Sequence, residues 1–458
     1  MHIQKLQIEN LRSFKKTDIE FNLPDSKGLQ FPNVNVLLGD NGLGKTTVLR
    51  AVALAILGPL LSGSSGYVPD GLVRKQPARR NGKINLQKTG ATSVTADLIA
   101  TPGEKSKKNS SWSMPDRFSM TTDVRLLNTI EQLKWSISPS EANDSAEHMQ
   151  FDEQSPAFFI VGYGATRRVE ASSRVDESAR QKSRLRRYER VAGLFEDHLS
   201  LMPLSYWLPA FAEENPGRYK QVIHLINDLL PPSCRIQDLA SQTQQGREHL
   251  FEMNETILPF RALSDGFKAY IGWIGDMLFH ICQGVASGQK LRQTRGIVMV
   301  DEVDLHLHPE WQRTVVPTLA AALPNIQFIF TTHSPLVVGS LTSENLFVLD
   351  QQDHATIIKR LPEKVHGKSS EQILLSPYFG LDSTRSEETS IELNGLAASA
   401  VSGDVDASIA YLKILAQGIT PVAKRRSPSR TARNTPASAT ADKTIAASRK
   451  ASSKGPTK

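Results

Sequence analysis

The sequence predicts an α/β fold in which apolar strands deliver polar loops to one edge of a sheet. A glycine-rich loop at residues 39–47 lies between an apolar run and a helical pattern. Two later apolar runs also end in polar residues, namely residues 296–300 before Asp301-Glu302 and residues 327–330 before Thr-Thr-His333. Because ligands bind outside the carboxyl ends of strands in open α/β sheets, we expect these three loops to lie together.

The loop at residues 39–47, Gly-Asp-Asn-Gly-Leu-Gly-Lys-Thr-Thr, has the P-loop pattern of nucleoside triphosphate sites. Its glycines let backbone N–H groups curl around phosphate, and the helix that follows favours negative charge at its N-terminus. Strand, loop and helix occur in the required order, which disfavours a glycine-rich turn that binds nothing. The predicted nucleotide-binding residues are Asn41, Gly42, Gly44, Lys45, Thr46 and Thr47.

Each charged or polar group in these loops has a predicted role. Lys45 would reach the β and γ phosphate oxygens, and Thr46 and Asp301 would hold Mg²⁺. Glu302 would orient or deprotonate the attacking water, and His333 would hydrogen-bond the γ-phosphate. Lys45, Glu302 and His333 are therefore the predicted catalytic residues. The alternatives, a helix cap for the Asp-Glu pair and a structural histidine, are weakened by the P-loop upstream.

The first part of the chain predicts strands beside the P-loop. Residues 1–21 alternate apolar and polar positions around Asn-Leu-Arg-Ser-Phe at 10–14, which predicts two antiparallel strands and a turn. Residues 45–57 have helical periodicity and end at Gly58-Pro59. Further strand candidates at residues 83–87, 93–99 and 132–138 predict an antiparallel β lobe. A basic run from Arg74 to Lys83 is interpreted as a solvated loop in preference to a ligand site.

The middle of the chain combines a glycine-flexed turn with a basic segment. A short apolar strand at residues 157–161 leads into Gly-Tyr-Gly-Ala-Thr-Arg-Arg, and this turn faces either the nucleotide or a partner. Residues 167–190 hold nine arginines and lysines against four acids, so both a phosphate-backbone contact and a solvated helix face stay open. Amphipathic patterns at residues 191–208 and 219–230 predict a helical insertion over residues 171–260.

The composition predicts a soluble protein whose positive charge is concentrated near its end. The net charge is +7, but residues 424–458 carry ten lysines and arginines against one acid. This Ser/Ala/Pro-rich segment cannot bury a core, so we expect a disordered basic tail that contacts nucleic acid nonspecifically. Cys234 and Cys282 form no metal-binding pattern and are expected to be buried thiols. Without a secretory leader or an apolar run of about 18 residues, a cytoplasmic location is expected.

A fourth motif, Leu-Ser-Asp-Gly at residues 263–266, opens a helical apolar segment upstream of Asp301. In this order, the P-loop, this motif, the Asp-Glu pair and the strand-end histidine resemble the ABC-type ATPase heads of the SMC, RecF and OLD group. The resemblance implies an ABC-type P-loop head that hydrolyses ATP with Mg²⁺. It also implies a homodimer or higher oligomer, in which Ser264 and Gly266 of one subunit cap the γ-phosphate held by another.

The segment at residues 303–310 resembles the D-loop of RecF- and OLD-like ATPases. A dimer-interface loop is favoured there over a metal site formed by His306 and His308. The Q-loop of such heads has two candidates, Gln154 and the turn at Tyr163. No sustained heptads separate the P-loop from residue 263, which argues against the long coiled-coil arms of SMC proteins. No Toprim nuclease pattern follows the strand predicted at residues 346–350.

Residues 361–385 and 191–208 resemble stand-alone antiphage-defence ATPases of the Septu type. This resemblance implies a nucleotide-gated switch that controls a DNA- or RNA-directed machine through a separate effector protein, typically a nuclease. The alternatives are a RecF-like DNA repair ATPase and the ATPase subunit of a transporter, although no membrane partner is expected. The predicted domains are residues 1–170 and 261–390 for the two halves of the head, 171–260 for the insertion, 391–423 for a short helical segment and 424–458 for the tail.

Overall fold

The computed structural model describes residues 1–63, 65–80, 83–88, 91–105, 112–127, 130–168, 185–197, 199–243, 246–285 and 288–416. The chain divides into two compact units, Met1–Thr384 and Arg385–Lys458. The predicted basic tail at residues 424–458 lies outside the described residues, as does most of the basic segment at residues 174–190.

The strands are β1 His2–Leu11, β2 Phe14–Glu20, β3 Val34–Leu38, β4 Lys75–Arg80, β5 Lys83–Lys88, β6 Thr92–Ile99, β7 Arg117–Leu127, β8 Ile130–Ser138, β9 Ile160–Tyr163, β10 Cys234–Thr243, β11 Gly246–Met253, β12 Thr256–Pro259, β13 Gly296–Val300, β14 Ile326–Thr331, β15 Leu346–Gln352 and β16 Ala355–Lys359. The helices are α1 Lys45–Ile56, α2 Gly58–Ser62, α3 Pro102–Lys105, α4 Asn143–Phe151, α5 Arg186–Ala192, α6 Leu204–Glu214, α7 Pro216–Leu229, α8 Asp265–Gly284, α9 Pro309–Gln312, α10 Val315–Ala322, α11 Pro335–Gly339, α12 Ser370–Leu374, α13 Glu387–Val401 and α14 Val405–Ala416.

The central sheet has the order β16-β15-β3-β14-β13-β9, parallel from β15 to β9 and antiparallel between β15 and β16. The P-loop strand β3 and the strand β13, which ends before Asp301, are both paired to β14, which ends before His333. Because parallel strands end at the same edge, this order brings the three predicted loops to one side of the sheet. The strands predicted before these loops are confirmed.

The two faces of this sheet pack against different layers. Successive side chains of a strand point to opposite faces, so Ile297 and Met299 of β13 join one core while Val298 and Val300 join the other. The first core contains α1 and the β lobe, and the second contains α6, α7 and α8. Burial on both faces explains why the parallel strands are mostly apolar.

Two of the three strand candidates of the predicted β lobe, residues 93–99 and 132–138, lie in β6 and β8 of the antiparallel sheet β2-β1-β6-β7-β8. The third, residues 83–87, lies in β5, which pairs with β4 in a separate hairpin. The sequence prediction missed β7, whose serines and threonines alternate with buried Phe118, Met120 and Val124. Thr122 of this strand donates its hydroxyl proton to the Leu54 carbonyl of α1 at 2.8 Å. A polar residue thus fits a buried strand position because a helix supplies its acceptor, which local sequence does not reveal.

The predicted helical insertion at residues 171–260 is only partly helical. Helices α6 and α7 are present, but the antiparallel strands β10, β11 and β12 follow them. A turn at Asn254-Glu255, both with positive φ, joins β11 to β12. The helix predicted over residues 191–208 is also interrupted. Helix α5 ends at Ala192, and α6 begins at Leu204, directly after Pro203. These helices share a core with the central sheet and do not form a separate body.

The basic residues predicted to lie in solvent are partly buried. Lys75 to Arg80 form β4 of a hairpin, and Arg74 is buried and donates to the carbonyl oxygens of Ser13 and His354. Arg187 is likewise buried, and its guanidinium donates to backbone carbonyls including that of Asp152 at 2.8 Å. The interpretation of the run from Arg74 to Lys83 as a solvated loop is wrong for Arg74, which is buried because backbone carbonyls supply its acceptors. Residues 75–80 form a strand in place of a loop, and Lys75 is exposed, as predicted.

The second unit begins near residue 385, somewhat before the predicted boundary at 390. Helix α13 begins at Glu387 because the Ser386 hydroxyl accepts a hydrogen bond from the Thr389 N–H. Both cysteines lie in the first unit and are buried, as predicted, and burial raises the pKa of Cys234 to about 11.

Candidate nucleotide site

The P-loop connects β3 to the first turn of α1. Gly44 precedes the helix with a φ of 96°, and a Cβ atom there would lie 2.6 Å from the Ser13 hydroxyl oxygen. Both constraints require glycine. Lys45 Nζ donates to the carbonyl oxygens of Gly39 at 2.7 Å and Asp40 at 3.1 Å. Burial lowers the pKa of Lys45, and the carboxylates of Asp301 and Glu302 oppose this effect.

Asp301 connects the P-loop helix to the ends of two strands. Its Oδ2 accepts a hydrogen bond from the Thr46 hydroxyl at 2.6 Å, and its Oδ1 accepts one from the Thr331 hydroxyl at 2.5 Å. The Glu302 N–H in turn donates to Thr331 Oγ1 at 2.7 Å. Hydroxyl and carboxylate oxygens are the donors that Mg²⁺ prefers, so the convergence of Thr46 and Asp301 fits this ion.

One cavity of about 750 Å³ joins these groups. All predicted residues of the P-loop, together with Asp301, Glu302 and His333, line it; the full set is Arg12, Ser13, Asn41, Gly42, Gly44, Lys45, Thr46, Thr47, Asp301, Glu302 and His333. His333 is exposed, whereas its neighbours Thr332 and Ser334 are buried. The Ser334 hydroxyl accepts hydrogen bonds from the first N–H groups of α11, which holds the chain at His333 in its turn.

Two cavity residues, Arg12 and Ser13, were missed by sequence reasoning. They lie in the turn between β1 and β2, where Arg12 has a positive φ and Ser13 Oγ donates to the Leu43 carbonyl at 3.3 Å. The Arg12 N–H is bonded to the Leu72 carbonyl, so the β lobe fixes this turn beside the P-loop. The sequence signal that could have indicated them is the arginine and the serine in the predicted turn between the first two strands.

Ser264 and Gly266 do not line this cavity. Ser264 is exposed at the start of α8, and a Cβ atom on Gly266 would lie 2.7 Å from the His306 carbonyl oxygen. The Leu-Ser-Asp-Gly motif therefore packs on the predicted D-loop of the same chain. His306 and His308 are both exposed, and the described residues contain no cluster of three or more candidate metal ligands.

The turn after β9 contacts the backbone that carries Asp301 and Glu302. Arg167 donates from Nη1 to the Asp301 carbonyl at 2.5 Å and from Nη2 to the Glu302 carbonyl at 2.9 Å. Glu302 has a φ of 49°, a left-handed conformation that costs free energy in a non-glycine residue. Arg167 thus stabilises a strained backbone at the predicted catalytic glutamate. Burial lowers the pKa of Arg167 to about 10, so its guanidinium remains charged at neutral pH.

The two Q-loop candidates occupy different environments. Gln154 is exposed and does not line the nucleotide cavity. Tyr163 is buried, and its hydroxyl donates to Asp276 Oδ2 at 2.7 Å. The Tyr163 carbonyl accepts a hydrogen bond from the Asp301 N–H at 2.8 Å. Of the two candidates, only the Tyr163 turn contacts the catalytic edge of the sheet.

Comparison with known families agrees with this arrangement. A family model described as "AAA domain, putative AbiEii toxin, Type IV TA system" matches residues 34–339, which include the P-loop, Asp301, Glu302 and His333. The chain belongs to this family. The predicted fold class, an α/β P-loop ATPase fold, is confirmed by the family match together with the observed sheet order.

Individual relatives include a Septu protein and two probable retron ATPases. The Septu protein PtuA of Bacillus mycoides is 27% identical over 83% of this chain and 45% of its own length. The Retron Ec83 probable ATPase of Escherichia coli is 24% identical over 82% of this chain and 75% of its own length. The Retron Vc95 probable ATPase of Vibrio cholerae is 38% identical over 24% of this chain and 22% of its own length. The chain therefore spans less than half of the Septu and Vibrio relatives.

Among solved structures, the SMC head domain from Thermotoga maritima is 15% identical, with a TM-score of 0.43, over 79% of this chain and all of that chain. The sequence relatives confirm the prediction that this chain is a P-loop ATPase related to Septu-type proteins. Within the part of the chain that the structure describes, no helix has both the length and the apolar composition needed to cross a bilayer.

Proposed function

We propose that the chain binds ATP and hydrolyses it in the presence of Mg²⁺. The observation that supports this function is the single cavity lined by Lys45, Thr46, Asp301, Glu302 and His333. Phosphoryl transfer to water requires positioning and charge stabilisation more than covalent chemistry, and these side chains are of the required types. Lys45→Ala and Glu302→Gln are the two variants that test this proposal.

In this mechanism Lys45 exchanges the carbonyl oxygens of Gly39 and Asp40 for phosphate oxygens. Thr46 and Asp301 would hold Mg²⁺, which neutralises negative charge on the β and γ phosphates when bound. Glu302 orients the attacking water and accepts its proton. The exposed His333 side chain donates a hydrogen bond to the γ-phosphate and thereby senses whether it is present.

Arg167 is proposed as a positioning residue for Glu302. Replacing it with methionine should lower kcat about tenfold, because the hydrogen bonds from the guanidinium to the Asp301 and Glu302 carbonyls are lost and Glu302 can leave its productive position. The KM for ATP should change less than about threefold, since Arg167 does not line the nucleotide cavity. Steady-state ATPase assays over a range of ATP concentrations would measure both constants.

The matched control for this prediction is Arg168→Met, which removes the exposed neighbouring arginine. Arg167→Lys should give an intermediate kcat, because an ammonium group cannot bridge two carbonyl oxygens as a guanidinium does. A kcat for Arg167→Met equal to that of the control would contradict the positioning role.

We further propose that two copies of the chain form two composite ATP sites. The support is that Ser264 is exposed and lies outside the cavity of its own chain, on a helix end packed against the exposed D-loop. A second copy related by twofold symmetry would place this serine over the phosphates of the first. ATP then closes the dimer, and hydrolysis releases it.

Ser264→Arg should separate ATP binding from dimerisation. The affinity for ATP should stay within about threefold, because the P-loop is unchanged, while a bulky cation blocks closure of the second subunit. Light scattering after gel filtration, with Glu302→Gln in the background to suppress hydrolysis, would measure the dimer. Exposed Ser233→Arg is the matched control. An ATP-dependent dimer of equal amount in both variants would rule out the composite site.

At the level of the cell, we propose a cytoplasmic antiphage-defence ATPase that controls a separately encoded effector, typically a nuclease acting on DNA or RNA. The support is the similarity to a Septu protein and to two retron ATPases. Copurification of the native complex, followed by identification of its proteins and nucleic acids, would test this assignment. A permease in the complex would instead indicate a transporter, and repair proteins would indicate a RecF-like role.

A further inference from the structure

A second cavity of about 830 Å³ lies beside the turn after β9, separate from the nucleotide cavity. Its walls come from this turn, helix α5, residues 199–202 and helix α8. Neither the P-loop nor His333 contributes to it. The proposed ATPase activity therefore assigns no role to this cavity.

The wall of this cavity includes a buried arginine without a hydrogen-bonded partner. Arg190 of α5 is only 6% exposed, and its Nε atom is fully covered and unsatisfied. Its guanidinium carbon lies 5.4 Å from the centroid of the Phe159 ring, and the carboxylates of Glu153 and Glu189 attract its charge. Burial lowers the pKa of Arg190 to about 10, so the side chain still carries its charge at neutral pH. A buried N–H donor without an acceptor is costly, and an anion that reached the guanidinium would offset that cost.

Glu189 and Asp276 are the carboxylates of the cavity wall. The charges of Glu153 and Glu189 act on Arg190, but among the described residues neither gives its Nε atom an acceptor, and Asp276 is committed to other groups. Asp276 accepts hydrogen bonds from the Tyr163 hydroxyl at 2.7 Å and the Met202 N–H at 2.7 Å, and His280 Nε2 lies 3.4 Å from it. Burial alone would raise the pKa of Asp276, but His280 and these hydrogen bonds together lower it. Asp276 therefore stays ionised, and its hydrogen bonds go to groups other than Arg190.

The rest of the cavity is suited to an apolar group. Leu199, Leu201, Met202 and Phe279 line it together with glycines of the β9 turn. Arg167 also lines it, but its guanidinium is engaged by backbone carbonyls. The wall is largely apolar but also holds Glu189, Asp276 and a guanidinium with an unsatisfied N–H. Such a pocket favours ligands that combine a hydrophobic body with a single anionic group.

We propose that this cavity binds a small organic anion, whose carboxylate or phosphate group pairs with Arg190 and whose apolar body packs on Leu199, Met202 and Phe279. Charge-assisted bonds to a guanidinium can be bidentate with either anionic group. The proposal goes beyond ATP hydrolysis and does not depend on it.

Isothermal titration of the full chain with phenyl phosphate and, separately, with benzoate would test this site. At least one of the two probes should bind with a stoichiometry near one per chain, and benzyl alcohol, which lacks the charge, should bind at least about tenfold more weakly. The stronger of the two anionic probes identifies the preferred headgroup. Equal affinity for benzyl alcohol and both anions would overturn the proposal.

Variants locate the bound probe. Arg190→Met should weaken binding at least about tenfold, whereas Arg186→Met, which removes an exposed arginine of the same helix, should leave it unchanged. Leu199→Trp fills the cavity without altering the guanidinium and should also weaken binding. Thermal unfolding of the free variants checks folding, and Arg190→Met should be at least as stable as the parent because it removes an unmatched buried charge.

The P-loop is the competing phosphate site in this experiment. Probe binding should persist in Lys45→Ala, because that lysine lies in the other cavity. Binding that is lost in Lys45→Ala but retained in Arg190→Met would place the probe at the P-loop and overturn the proposal. The same outcome would leave the proposed ATPase function intact.

Discussion

Replacing Lys45 with alanine is expected to lower the rate of ATP hydrolysis by about 100-fold or more, because a preorganised cation at the phosphates is lost. The Lys45 side chain is buried at the base of the loop, so in the alanine variant water would not stabilise the phosphate charge as the ammonium group does. Weaker binding of ATP should accompany the loss of turnover. Phosphate release and equilibrium binding of a fluorescent ATP analogue would measure the two effects.

The matched control for Lys45 is Lys16→Ala, which removes an exposed lysine paired with Glu9 on the β lobe. Such a surface pair contributes little to stability, so both variants should remain folded. If Lys45→Ala hydrolysed ATP as fast as Lys16→Ala, the P-loop assignment would be wrong.

Replacing Glu302 with glutamine is expected to separate ATP binding from hydrolysis. The amide keeps the shape of the side chain but cannot accept a proton from water, so turnover should fall by about 100-fold. ATP affinity should be retained because the P-loop, Thr46 and Asp301 are unchanged. In the proposed mechanism this variant accumulates the ATP-bound dimer, which gel filtration with light scattering would detect.

Glu9→Gln, an exposed carboxylate outside the site, is the control for Glu302→Gln. Normal hydrolysis in Glu302→Gln would remove Glu302 from its role. Loss of ATP binding in the same variant would indicate that the substitution disturbs the strained backbone at residue 302 and not the proton transfer alone.

Local sequence was sufficient to predict the parallel strands and the loops that follow them. Strands buried on both faces are mostly apolar, so residues 296–300 and residues 34–38, where Asn35 is the one polar residue, can be recognised from the sequence together with their ends. The P-loop is similarly local, because its glycines and lysine act within one strand–loop–helix unit. The identities of the predicted site residues and their common position at one sheet edge were therefore available without coordinates.

Other features depend on partners distant in the chain. Arg12 and Ser13 enter the site because β1 pairs with β6 and the turn is bonded near residue 72. The acceptors of Arg167 lie 134 and 135 residues away. The basic segment around residue 190 was read as a solvated face or a phosphate contact, yet Arg187 and Arg190 are buried.

The sequence by itself determined the P-loop ATPase fold class, the strand ends and the residue types of the candidate nucleotide site, because those depend on residue patterns within one strand, loop or helix. Only the tertiary structure decided which arginines face solvent, which one holds the Glu302 backbone and which keep a buried N–H without a hydrogen-bond acceptor. The physical reason is that burial and hydrogen-bond satisfaction of a charged side chain depend on carbonyl and carboxylate groups brought close by the fold.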